Sequence, residues 1–188
     1  VVIIFYSFQI YCDFSGYSDI AIGVSRLFGI KLNNNFIRPY FSSSFKQFWT
    51  RWHISLSTWL RDYLYIGLFG GNRSGVFKTA RNLILTMTIG GLWHGSSYNF
   101  VLWGLIHGIV LVIEKKIIDK NYYLIFNRFF IFTIVSLTWI PFRSADFSIT
   151  MLMIDSIINF KIYSLPISIF LLAKCLFCIS LLLYYDYT

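Results

Sequence analysis

Two apolar runs in this chain, residues 122–142 and 165–185, are each about as long as the roughly 20 residues that cross a bilayer core. Asn127 and Arg128 interrupt the first and Lys174 the second. Residues 1–30 read as a helix. At about 100° per residue, Gln9, Cys12, Asp13, Gly16, Asp19 and Gly23 fall in one stripe. A spanning helix must turn two carboxylates away from lipid, and the glycines in the same stripe favour a polar packing seam over a site.

Residues 45–63 show a different pattern. Phe45, Phe48, Trp49, Trp52, Leu56, Trp59, Leu60 and Tyr63 share one helical face, with Arg51, Ser55, Thr58, Arg61 and Asp62 opposite and His53 at the edge between them. This predicts an interfacial amphipathic helix, its apolar face in the acyl boundary and its basic face in water. The residues Gly70-Gly71-Asn72-Arg73-Ser74-Gly75 predict a loop. Residues 82–93 follow, then His94-Gly95-Ser96-Ser97 and the apolar residues 98–113. Twelve helical residues span about 18 Å, short of a bilayer core of about 30 Å. Arg81 precedes this segment and Glu114-Lys115-Lys116 close the next. The expectation is therefore a re-entrant hairpin with both ends cytoplasmic and the His94 tip within the membrane. No repeat or low-complexity segment appears, and Pro39, Pro141 and Pro166 each lie near a predicted boundary. The fold expected is all-α: one polytopic membrane domain over residues 1–188, with transmembrane, re-entrant and interfacial helices.

Composition points to lipid as the solvent: 57% of residues are hydrophobic, 21% aromatic, and the mean hydropathy is +0.65. The chain starts inside an apolar segment without Met, charged n-region or cleavage site. It reads as a fragment truncated at both ends rather than as a secretory precursor. Cys12, Cys175 and Cys178 lie in apolar segments without metal-ligand spacing. Charge is more informative. Between positions 26 and 81 nine Lys or Arg face one acid, Asp62, which accounts for the whole net charge of +8. Such a block favours the cytoplasmic face and anionic lipid, a phosphorylated ligand or an acidic partner. Nucleic acid is not expected, because the aromatics are patterned for a membrane interface.

The position with the strongest chemical signal is His94, beside Gly90, Gly91 and Gly95 in an apolar stretch. An imidazole has an unperturbed pKa of roughly 6.5 and stays neutral in a poorly hydrated site, which suits a general base. A histidine bonded to a nearby carbonyl at a helix end fits the same position, and position alone leaves both readings open. His107, between Gly104 and Gly108 in a small-xxx-small pattern, reads as a packed, hydrogen-bonded histidine. The three histidines are 41 and 13 residues apart with no local ligand pair, so no metal is predicted.

A family resemblance follows from ordered motifs. They are Gln9-Ile10-Tyr11-Cys12-Asp13-Phe14-Ser15-Gly16-Tyr17-Ser18-Asp19, Asn35-Phe36-Ile37-Arg38-Pro39-Tyr40, Phe48-Trp49-Thr50-Arg51-Trp52-His53-Ile54-Ser55-Leu56-Ser57, and Trp59-Leu60-Arg61-Asp62-Tyr63-Leu64-Tyr65-Ile66. Gly70-Gly71-Asn72-Arg73, Gly91-Leu92-Trp93-His94-Gly95, Asn99-Phe100-Val101-Leu102-Trp103-Gly104 and residues 139–143 continue the series. In this order they resemble the membrane-bound O-acyltransferase family, above all its bacterial alginate and polysaccharide O-acetyltransferase branch. The resemblance is close over residues 1–115 and loose over 116–188, which are expected to add transmembrane helices. Where the branch often has Arg, this chain has Thr50.

The resemblance implies a catalytic His94 and a second functional histidine at His53. Arg51, Arg61, Asp62, Asn72, Arg73 and Asn99 are the substrate- or donor-binding candidates. It implies transfer of an acyl group, most simply acetyl, from a cytoplasmic thioester such as acetyl-coenzyme A to hydroxyls of an extracytoplasmic polysaccharide or to a relay partner, as in alginate O-acetylation. No bound cofactor is expected. The partners expected are the lipid bilayer, the thioester donor and an extracytoplasmic acetyltransferase or polysaccharide-synthesis protein; the location is a bacterial cytoplasmic (inner) membrane, in several passes. Backbone amides of the Gly95-Ser96 turn are candidates to hold an oxyanion. D-alanyl transfer to teichoic acid is the nearest alternative within the family. Outside it stand a transporter-like subunit with Asp13, Asp19, His94 and His107 along a pathway, and an inactive scaffold.

Overall fold

A computed structural model describes residues 2–73, 75–118, 128–159 and 169–187. Among these residues the elements are helical throughout: α1 (Val2–Leu27), α2 (Phe45–Trp49), α3 (Ile54–Trp59), a π-helical segment (Leu60–Leu68), α4 (Val76–Trp93), α5 (Tyr98–Ile118), α6 (Arg128–Arg143), α7 (Phe147–Ile158) and α8 (Ile169–Tyr187). Pro39 opens a short 3-10 turn, Pro39–Phe41, and Pro141 sits in the last turn of α6. Pro166 lies outside the described residues.

The core is aromatic. Phe8 and Tyr11 of α1, Tyr40, Phe45 and Phe48 of α2, and Trp52 pack with Trp103 of α5 and Ile131, Val135 and Trp139 of α6. These rings decide how α1 sits. Its buried face is Ser7, Phe8, Tyr11, Ser18 and Ile22, while Gln9, Cys12, Asp13, Asp19 and Gly23 are exposed and nothing lies within 4 Å of a Cβ built at Gly16 or Gly23. The packing seam expected along that stripe is therefore not formed among the described residues. Phe8 and Tyr11 bury more apolar area than the glycine stripe could, so α1 turns them inward.

The single interfacial helix expected over residues 45–63 is also corrected. It breaks at His53, which adopts left-handed backbone angles (φ 43, ψ 57) between α2 and α3, and the chain then widens into the π-helical segment. Phe45, Phe48 and Trp52 lie in the protein core rather than in the acyl boundary; Trp59 and Tyr63 remain exposed. The break is supported from outside the segment. The Asn35 carbonyl accepts from the Ile54 N–H and its side chain from the Ser55 N–H, while the Ile37 N–H donates to the Arg51 carbonyl. Residue 35 thus supplies the cap that the His53 side chain does not.

The hairpin around His94 is present, but its first limb is longer than expected. α4 has 18 residues, about 27 Å at 1.5 Å each, because it begins at Val76 and carries Lys78 and Arg81 on its exposed side. The shortness that argued for a re-entrant limb is gone. α5 carries the one stretch among the described residues that is long and apolar enough to cross a membrane, Tyr98–Lys116, with mean hydropathy 1.3. The two runs expected to span are described in part: α6 is 16 residues, and the apolar part of α8 runs Phe170–Tyr184.

Glycine lets α4 and α5 touch through their backbones. A Cβ on Gly91 would lie 2.1 Å from the Phe100 carbonyl oxygen, one on Gly104 2.3 Å from the Met87 carbonyl oxygen, and one on Gly108 2.7 Å from the Ile84 Cα. None of these neighbours can swing away. Gly104→Val is therefore expected to destabilise the protein by about 1–3 kcal/mol or more, read as a lowered melting temperature in detergent. Gly16→Ala, in open space on a helix, is expected to be neutral or to stabilise by up to about 1 kcal/mol. Equal melting of the two variants would contradict this packing.

Candidate functional site

The α4–α5 contact fixes the turn between the helices, and with it His94. The His94 N–H donates to the Gly91 carbonyl, ending α4, and the Gly95 N–H donates to Leu92. The Gly95 amide is thus already used, which leaves the turn a weaker oxyanion cradle than expected. A Cβ at Gly95 would come within 2.7 Å of the Phe100 ring, so only glycine lets Phe100 close on the turn.

The His94 ring is half-buried in an aromatic cage. Its centroid lies 5.0 Å from Trp93, 5.3 Å from Trp103, 5.0 Å from Phe142 and 6.1 Å from Phe100, with the Trp93, Trp103 and Phe142 contacts near edge-on. Its ring nitrogens make no hydrogen bond with a described residue. On the other side of Trp93 is His53, with centroids 6.1 Å apart, and Phe14 meets His53 edge-on at 4.7 Å. Two histidines 41 residues apart in sequence therefore flank one indole.

His107 differs. It is fully buried, its Nε2 is 2.9 Å from Thr138 Oγ1, and it packs between Trp49, Trp103 and Phe45. It is the packed, hydrogen-bonded histidine expected from its neighbours.

The six binding candidates do not converge. Asn99 is buried, donating to the Ser144 carbonyl (3.1 Å) and accepting from Thr150 Oγ1 (3.1 Å), so it ties the start of α5 to the α6–α7 junction. Arg51 donates to the Arg38 carbonyl at 3.5 Å. Arg61 forms a two-pronged pair with Asp62 (2.7 and 3.1 Å), and that hydrogen-bonded guanidinium holds the exposed Asp62 carboxyl below the usual carboxylate range. Asn72 accepts from Tyr65 Oη and from Lys115 Nζ (3.0 Å), and Arg73 lies exposed in the following turn. Arg61 and Asn72 alone of the six share a cavity, of about 570 Å³, between the π-helical segment and the α4–α5 hairpin.

Several supporting residues carried no assigned role from sequence. Asn35 positions His53; Trp103 and Phe142 build the cage around His94. Each lies inside a quoted motif, and that was the available signal.

The family model for membrane-bound O-acyltransferases matches residues 1–142. A probable alginate O-acetylase of Pseudomonas putida is 48% identical over 162 residues, 82% of this chain and 32% of that protein. A peptidoglycan O-acetyltransferase of Helicobacter pylori is 44% identical over 147 residues, 75% of this chain and 28% of that protein. A teichoic acid D-alanyltransferase of Streptococcus thermophilus is 42% identical over 128 residues, 62% of this chain and 31% of that protein. This chain belongs to the membrane-bound O-acyltransferase family and is a bacterial membrane protein. It spans about a third of the length of the curated relatives it matches.

The backbone at His53 makes a test independent of activity. His53→Asn, a residue that accepts left-handed angles, is expected to leave the stability within about 0.5 kcal/mol of the parent, whereas His53→Val should cost about 1–3 kcal/mol, both read from thermal melting. Equal stability of the two would remove the strained turn.

Proposed function

We propose that the protein is an O-acyltransferase that moves an acetyl group from a cytoplasmic thioester to a hydroxyl of an extracytoplasmic polysaccharide or of a relay partner, with His94 as general base. The observation that carries this reading is the placement of His94 and His53 on either side of Trp93. The His94 ring is shielded by aromatic faces, yet no described residue holds its nitrogens.

An imidazole whose nitrogens no described residue engages, in a site that thins water out, is free to accept a proton from an attacking hydroxyl. The hydroxyl oxygen forms the new C–O bond at the thioester carbonyl, the C–S bond breaks, and the proton passes from His94 to the leaving thiolate. His53 assists across the Trp93 ring. The basic residues from Arg26 to Arg81 face the cytoplasm and draw in a phosphate-bearing donor such as acetyl-coenzyme A, with Arg51 and Arg73 as its guanidinium contacts. The protein would work in the cytoplasmic membrane, in several passes, with a polysaccharide-synthesis or extracytoplasmic acetyltransferase partner. The names of the alginate and peptidoglycan relatives support acetyl over other acyl groups, since they match more of this chain than the D-alanyl relative does.

The test is transfer of label from a radiolabelled acetyl thioester into glycan or partner by the full-length protein in vesicles. His94→Ala is expected to lower the rate by a factor of order 100 to 10,000 at normal expression. A wild-type rate in that variant would overturn the assignment. Transfer from a D-alanyl carrier but not from an acetyl thioester would move the protein to the teichoic acid branch. Movement of substrate without transfer would make it a transporter.

A further inference from the structure

We propose that the cavity below the π-helical segment is a binding site for a two-chain anionic phospholipid, with its phosphate at Lys46 and Lys115 and its chains in two adjoining apolar channels. The first channel is the cavity of about 570 Å³ noted above, walled by Leu60, Leu83, Met87 and Leu111 and rimmed by Lys46, Arg61 and Lys115. The second, of about 360 Å³, runs along the start of α4 past Val76, Phe77 and Val112. The two share Asn72, Leu83 and Lys115. Two apolar channels that meet at one cationic position match a headgroup with two chains better than they match a single-armed ligand.

Depth supports a lipid. The apolar stretch of α5 ends at Lys115 and Lys116, which places the shared rim where a spanning helix meets the headgroup layer. The adjoining segment exposes Trp59, Tyr63 and Leu68, and Phe77 is 92% exposed beside the second channel, as interfacial residues are. Charge sets the class. Glu114 also lines the cavity, but both its oxygens accept backbone N–H groups, of Phe45 and Lys46. Lys115 spends one donor on Asn72, and Asp62 engages two of the Arg61 donors, leaving N–H groups of Lys46, Lys115 and Arg61 for a phosphate diester.

This site is separate from the proposed chemistry. Neither His53 nor His94 lines it. Trp49 closes its inner wall and packs on Trp103 at 5.8 Å, which in turn packs on His94 at 5.3 Å. A thioester held in this cavity would face the base through two indole layers.

The experiment is native mass spectrometry of the full-length protein after equilibration with equal amounts of phosphatidylglycerol and phosphatidylethanolamine of matched chains. The expected result is a retained phosphatidylglycerol adduct. Lys46→Gln with Lys115→Gln should weaken it roughly 30-fold, the effect of two interfacial cations. Leu83→Trp, which fills the wall common to both channels without changing charge, should also remove it, with helicity by circular dichroism unchanged. Equal retention of the two lipids, survival of the adduct in both variants, or its displacement by pantetheine phosphate would overturn the proposal. The adduct should persist in His94→Ala, so loss of transfer and loss of lipid are read separately.

Discussion

Everything near His94 depends on how closely α4 and α5 approach. Gly91, Gly104 and Gly108 bring the two backbones to distances at which a single Cβ would collide with carbonyl oxygens or Cα atoms. In lipid there is little hydrophobic force between helices, so close van der Waals contact of this kind supplies much of the association. The close approach shortens the turn to four residues, 94–97, and sets Phe100 and Trp103, the first turns of α5, directly against the His94 ring. A looser hairpin would leave the imidazole at the end of a mobile loop; this one holds it against rings from α5 and α6.

The aromatic core extends that rigidity to His53. Trp52 packs on Trp139 and on Phe48 and Tyr40, and Tyr40 donates to the Ser7 carbonyl at 2.5 Å, so α1, α2 and α6 are tied at the residue next to His53. Left-handed angles at a non-glycine residue cost of order 1–3 kcal/mol and persist only where surroundings impose them. Here Asn35 and Ile37 impose them by pinning the chain on both sides of the break. The cost places the imidazole against Trp93 instead of at the edge between the two faces of a continuous helix.

Helix content, the His94 hairpin and the packed role of His107 were legible from spacing and residue type. The break at His53 was not, because the helical wheel of residues 45–63 is self-consistent and the groups that interrupt it, Asn35 and Ile37, lie more than a dozen positions away. The first turns of α4 escape an apolar pattern because they carry Lys78 and Arg81 and bury the polar Thr79 and Asn82. The inward turn of the α1 glycine stripe failed for a different reason: periodicity finds a face but does not say which of two competing faces buries more area. Asn99 illustrates the limit for sites. A motif marks it, yet its amide is spent on Ser144 and Thr150, so it ties helices together and offers no free group to a ligand.

The three histidines differ by surroundings, since residue type and apolar neighbourhood are common to them. At His107 burial is complete and Thr138 occupies Nε2, so the ring has the partner and the enclosure that make a histidine structural. At His53 the backbone is constrained while the ring meets Phe14 and Trp93. At His94 the backbone is spent on closing α4, and four aromatic side chains restrict the ring without engaging its nitrogens. Aromatic faces fix orientation and exclude water but do not compete for a proton. A base needs orientation and an unoccupied lone pair together; among the described residues neither His53 nor His94 has a hydrogen-bonded ring nitrogen, and four rings orient His94 where Phe14 and Trp93 alone meet His53.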